Sequence, residues 1–72
     1  SSNDSYAIGC CYYDGYGTSE DFAKAFSCFE ISANAGDEFG QFMLGNCYYK
    51  GDGTASDFKK AFDWYLKSAK QG

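Results

Sequence analysis

Residues 48–65 read YYKGDGTASDFKKAFDWY, and residues 12–29 read YYDGYGTSEDFAKAFSCF, the same phrase 36 positions earlier. Sliding the whole chain against itself by that interval pairs 15 identical residues in 36. Among them are Gly9/Gly45, Cys11/Cys47, Tyr12/Tyr48, Tyr13/Tyr49, Gly15/Gly51, Gly17/Gly53, Asp21/Asp57, Phe22/Phe58, Phe26/Phe62, Ser32/Ser68 and Gly36/Gly72. Tyr6/Phe42, Ile8/Leu44 and Phe29/Tyr65 extend the match conservatively. A period of this length is the mark of an architecture built from stacked units.

Within a unit the periodicity is helical. Phe22, Ala25, Phe26, Phe29 and Ala33 fall on one face at helical spacing, and Phe58, Ala61, Phe62, Tyr65 and Ala69 repeat the pattern. This second helix of each unit is predicted to start at Asp21 or Asp57, whose carboxylates can accept from free N–H groups, and to stop at Gly36 or Gly72. The first helix is predicted over residues 3–14 and 38–50, with Asp37 capping the latter and with Ile8, Cys11 and Tyr12, then Leu44, Cys47 and Tyr48, facing inward. Gly9 and Gly45 stand in mid-helix, where each costs about 1 kcal/mol against alanine. Close approach of an aromatic from the paired helix is the compensation that spacing suggests. The loops GYGTSED and GDGTASD must reverse the chain sharply, which calls for glycine at positive φ.

One helical hairpin cannot cover its own apolar face, so each copy supplies a wall of the other's core. The predicted fold class is therefore all-α: an α/α solenoid of two helix-turn-helix repeats, four antiparallel helices, with residues 1–36 as the first unit and 37–72 as the second. Together they make one domain or a part of a longer solenoid. A chain of this size buries only about 60% of the surface its unfolded form exposes, so two units are a thin margin. The chain does not open with Met, which reads as a processed product or an excised piece.

Composition narrows the function classes. With 44% hydrophobic and 21% aromatic residues and only 22% charged, the sequence lies outside the disordered range. Net charge is −4, with five acids and one Lys in residues 1–36 and five of each in 37–72. No basic patch is available for phosphates, which argues against nucleic acid and anionic membranes. No apolar run approaches a bilayer span, so direct membrane insertion is not expected. Lys59, Lys60, Lys67 and Lys70 read as a solvated face. Cys10, Cys11, Cys28 and Cys47 lack a C-x-x-C, and no His accompanies them, so neither a zinc site nor any cofactor is read. They read as buried thiols, which leans toward a cytoplasmic setting, with a Cys11–Cys28 disulfide as the alternative. Asn3 opens an N-x-S triplet.

The motif set resembles the Sel1-like repeat, a relative of the tetratricopeptide repeat. The second copy, LGNCYYKGDGTASDFKKAFDWYLKSAKQG, follows that family's pattern of Leu-Gly and Tyr, a Gly-x-Gly loop, Asp, Lys-Ala, Trp-Tyr and a closing Gly. The first, IGCCYYDGYGTSEDFAKAFSCFEISANAG, follows it less closely: Cys28-Phe29 stands in place of Trp-Tyr. Thr18 and Thr54 replace a usual Val, Ser32 and Ser68 replace the first of an Ala pair, and Gly40 replaces a small helix-former, which should weaken the start of its helix. The resemblance implies an adaptor that lays protein or peptide partners across its first helices.

Once core positions are assigned, the first helices leave Asn3, Ala7, Cys10 and Asp14, then Phe39, Met43, Asn46 and Lys50, as two adjacent stripes of candidate partner-binding residues. Phe39 and Met43 are apolar where solubility asks for polar groups. An aromatic beside a flexible thioether can anchor an apolar side chain, and the same pair could instead cover the edge of the core or meet a neighbouring repeat. A structural spacer within a longer solenoid is the alternative function. Self-association through the exposed repeat end, at Trp64 and Tyr65, is a further expectation. Catalysis ranks last: without His the commonest general base is missing, and Asp14, Glu20, Asp21, Asp52 and Asp57 read as loop hydration and helix caps. The DGYGTSED run lacks the calcium-loop order.

Overall fold

A computed structural model describes residues 2–72, with side chains from Asp4 onward. It contains helices α1 (Ser2–Asp14), α2 (Phe22–Asn34), α3 (Glu38–Lys50) and α4 (Phe58–Gln71), and no strand among the described residues. α1 packs along α2 and α3 along α4, and the seam between the two hairpins is made by α2 against α3. The all-α solenoid of two helix-turn-helix repeats is thus observed. The Asn3 side chain, and with it the N-x-S triplet, lies outside the described residues.

The helix starts follow from side-chain chemistry. Asp21, in extended backbone, accepts from the Lys24 N–H at 3.1 Å, and Asp57 does the same for Lys60 at 3.0 Å. Asp37 accepts from the Phe39 N–H at 2.9 Å. Each cap relieves one orphan donor of the first turn, worth about 1 kcal/mol. The two loops close identically: the Asp21 N–H donates to the Tyr12 carbonyl and the Asp57 N–H to the Tyr48 carbonyl, both at 2.8 Å. Gly15 and Gly51 carry φ of 71° and 78°, Gly17 and Gly53 both 77°, which is the left-handed backbone the sharp turn demands.

Ala25, Phe29, Ala33, Leu44 and Cys47 form the buried core, all five on the seam-forming helices α2 and α3. The mid-helix glycines are explained by close approach. A Cβ on Gly9 would lie 2.7 Å from the Phe29 ring, and one on Gly45 would lie 2.7 Å from the Tyr65 ring. Gly40 has the same kind of role, not the merely weakening one its helix propensity suggests. A Cβ there would stand 2.2 Å from Ser32 Oγ and 2.9 Å from the Ala33 nitrogen. The two departures at Ser32 and Gly40 therefore meet each other across the seam.

Part of the predicted core is uncovered. Ile8, Phe58 and Phe62 are 49%, 68% and 63% exposed, and Ala69 is exposed as well. Their partners by repeat, Leu44, Phe22 and Phe26, are buried or half-buried, because the seam exists on one side only of each hairpin. Trp64 and Tyr65, expected at the open end, turn inward instead: Trp64 packs on the core and Tyr65 lies over Gly45. The aromatics that project from the end are Phe58 and Phe62. All four cysteines are free thiols, so the Cys11–Cys28 disulfide is not formed; only Cys47 is fully buried, and Cys10, Cys11 and Cys28 are half-buried.

Candidate functional site

The first helices of the two units, α1 and α3, lie side by side and are joined by aromatic stacking. The Tyr6 ring sits 6.1 Å from the buried Phe29 and 5.8 Å from Phe39, so a ladder of rings runs from the core out to a residue that remains 58% exposed. Burial first, and then the adjacent Cys10 thiol, push the Tyr6 hydroxyl above its ordinary pKa. The ladder fixes the inner edge of Phe39 and leaves the rest of the ring to solvent.

The other stripe residues divide into two groups. Ala7 and Asp14 are exposed on α1, and Lys50 is exposed on α3 with Phe39. Cys10 and Met43 are half-buried against the core, and Asn46 is committed within the fold. Its Nδ2 donates to Met43 Sδ at 3.6 Å and its Oδ1 accepts from the Tyr65 hydroxyl, which ties α3 to α4 and orients the thioether. The surface is thus a pinned aromatic beside a positioned thioether, with Asp14 and Lys50 at the far ends of the two helices.

One polar residue of consequence escaped the sequence reading. Asp52 is not simply hydrated in its loop: it accepts a hydrogen bond from the Tyr13 hydroxyl at 2.5 Å, across the seam. Its counterpart in the first unit is Tyr16, so the repeat pattern hides the contact. Among the described residues no group of three or more His, Cys, Asp or Glu is placed to hold a metal ion. No described helix is long and apolar enough to cross a membrane.

Two stacked hairpins, closed by identical loops and sharing one core, define an α-helical repeat protein. The Sel1 repeat family model matches residues 5–37 and 39–72, and the chain belongs to that family. Its fold is similar to that of c5321, described as a protective antigen present in uropathogenic Escherichia coli strains and displaying an SLR fold. The TM-score is 0.98 and the identity 33%, over 100% of this chain and 15% of that one. It is also similar to a Sel1 repeat protein from Oxalobacter formigenes, with TM-score 0.97 and 39% identity over 100% of this chain and 54% of that one. The chain therefore spans only part of each of these relatives. No curated protein sequence matches it.

Proposed function

We propose that this chain is a non-catalytic interaction module whose α1 and α3 surface receives a protein or peptide, with Phe39 as the apolar anchor and Met43 beside it. The observation that carries the reading is the ring ladder Phe29–Tyr6–Phe39, which holds a large apolar side chain rigid and mostly exposed. A rigid aromatic loses little conformational freedom on binding, which is why such residues dominate binding energy. Ala7 is small and exposed, and Asp14 and Lys50, the last residues of α1 and α3, offer opposite charges at one end of the surface for orienting a partner. A reducing, cytoplasmic setting fits the four free thiols.

The test is a random dodecapeptide display selection on the folded chain, with affinity measured for the peptides recovered. Phe39→Ala should weaken them about tenfold or more while leaving helicity intact. Peptides that bind the variant equally well would overturn the reading. A spacer role is the second reading, and the uncovered face of α4, with Phe58 and Phe62 exposed, is what favours it. Catalysis stays last, since the chain has no His.

A further inference from the structure

Four of the chain's six lysines, Lys59, Lys60, Lys67 and Lys70, lie on α4, in a molecule whose net charge is −4. All four are exposed, yet two of them are held in place. The Lys60 ammonium stands 5.4 Å from the centre of the Tyr48 ring, and the Lys67 ammonium 4.3 Å from that of Trp64. Among the described residues no carboxylate pairs with either ammonium, and neither Lys59 nor Lys70 has a ring beneath it. A ring face attracts the ammonium and so restricts a side chain that is otherwise free to wander, while its outward N–H donors stay open to a partner.

The two held lysines face back toward the first unit, away from the flank of α4 that carries Phe62. Phe62 repeats the seam residue Phe26, and Lys60 and Lys67 lie about 160° and about 140° around the helix from it. Tyr48 takes Phe26 edge-on at 5.4 Å and Lys60 over its face, so α2, α3 and α4 converge on that one ring. Trp64 packs on the core beside it. Among the described residues no Cα of α2 lies within 8 Å of a Cα of α4, so the two second helices flank a furrow floored by α3. Lys60, Trp64 and Lys67 run along one wall of it. The first unit repeats only part of this arrangement: Lys24 lies 5.4 Å over Tyr12, but Cys28 and Ile31 stand in place of Trp64 and Lys67.

We propose that the furrow between α2 and α4 binds an acidic peptide segment, with one carboxylate on Lys60, a second on Lys67, and the backbone between them laid across Trp64. Seven helical residues set the two lysines about 10 Å apart along the axis. Three residues of polyproline-II chain span about 9 Å and return to the same face, so a segment with a carboxylate at every third position fits the pair. Charge decides the class of partner. The chain has no Arg for bidentate phosphate contact, and a nucleic-acid strand would carry its charge on over the acidic remainder of the molecule. A short peptide meets the two ammoniums alone. The furrow belongs to the second helices and the Phe39 surface to the first, so either assignment can fail without the other.

The probe is an end-blocked, dye-labelled peptide of glutamate at every third position with alanine and proline between, and the same peptide with glutamine for glutamate is its control. Anisotropy measures affinity, and the emission of Trp64, the chain's single tryptophan, reports where the peptide lies. The glutamate peptide should bind saturably and change that emission, and the glutamine peptide should do neither. Lys60→Gln and Lys67→Gln should each weaken binding about fivefold. Lys59→Gln and Lys70→Gln remove the same charge from the same helix and should leave affinity within about twofold. All four side chains are exposed, so each variant should keep its helicity, which circular dichroism checks. No saturable binding, a glutamine peptide that binds as well, or equal losses in all four variants would each overturn the proposal. So would a thymidine oligonucleotide that binds as tightly as the peptide and is weakened by Lys60→Gln, which would give the furrow to nucleic acid. Self-association in sedimentation equilibrium that Lys60→Gln abolishes would give it instead to a second copy's acids, and would overturn the proposal as well.

Discussion

The Tyr13 hydroxyl donates to the Asp52 carboxylate across the seam, joining the end of the first helix in one unit to the loop of the next. A bond to a charged acceptor is stronger than a neutral one. Tyr13→Phe or Asp52→Ala should each lower stability by about 1–2 kcal/mol. The double variant should cost less than the two together, which urea unfolding of the four chains measures.

The same pair sets an alkaline limit. Burial first, and then Asp52, push the Tyr13 hydroxyl well above the usual tyrosine range, and Tyr6 and Tyr65 move in the same direction. A group that the fold holds protonated contributes fully below its unfolded pKa of about 10 and loses that contribution as pH climbs through the folded value. The unfolding free energy should therefore fall as pH rises above about 10. Tyr13→Phe should fall less steeply there, since one of the groups that titrate in this sense is removed while Tyr6, Tyr65 and the buried Cys47 thiol remain.

Replacing glycine by alanine inside a helix ordinarily gains about 1 kcal/mol. At Gly45 the sign should reverse, because the new Cβ would lie 2.7 Å from the Tyr65 ring and 3.2 Å from the Ala61 carbonyl oxygen. Gly45→Ala should cost about 1–3 kcal/mol by overpacking. In a Tyr65→Ala background the same change should cost far less, as thermal unfolding of the pair would show.

Ser32 is fully buried and its hydroxyl has no partner, while Ser68, at the same place in the second unit, donates to the Glu38 carbonyl at 2.9 Å. Ser32→Ala should thus stabilise the chain by up to about 1 kcal/mol, and Ser68→Ala should destabilise it by a similar amount. Gly40→Ala should be destabilising, and adding Ser32→Gly should restore only part of the loss. The Ala33 nitrogen, at 2.9 Å from the new Cβ, does not move away with the side chain.

The thiols should titrate unequally. Cys47 is fully buried, and burial first, then Asp52, push its pKa up to about 11. With a thiol reagent at about pH 8, near the ordinary cysteine pKa, Cys47 should react last in the native chain, and all four should react at one rate in denaturant. Fewer than four reactive thiols in denaturant would place the protein in an oxidising compartment.

What the sequence made legible was whatever the repeat states twice. The 36-residue offset, the Asp21 and Asp57 caps, the loop glycines and the clearance at Gly9 and Gly45 all follow from paired positions read against helix physics. The seam was less legible, because its specific contacts sit where the copies differ. Asp52 faces Tyr13 although Tyr16 fills its place in the first unit, and Gly40 faces Ser32 although Asp4 fills its place. Asking what each mismatched residue would touch once the hairpins stack is the signal that could have found both. Exposure was illegible for a different reason: Phe22 and Phe58 are the same residue in the same pattern, and only a neighbouring helix distinguishes them. On the candidate surface the stripe spacing correctly placed Phe39, Ala7, Asp14 and Lys50 on solvent-facing parts of the first helices. It could not show that Asn46 is occupied by Tyr65 and Met43, since that bond spans two helices.

The most direct test of the account is amide chemical-shift mapping of the chain as a display-selected peptide is titrated in. The largest changes should fall on α1 and α3 around Ala7, Phe39, Met43 and Lys50, with α4 at Phe58 and Phe62 unmoved. Changes confined to α4, with the Phe39 region silent, would contradict the assignment of the first helices as the surface that receives a partner.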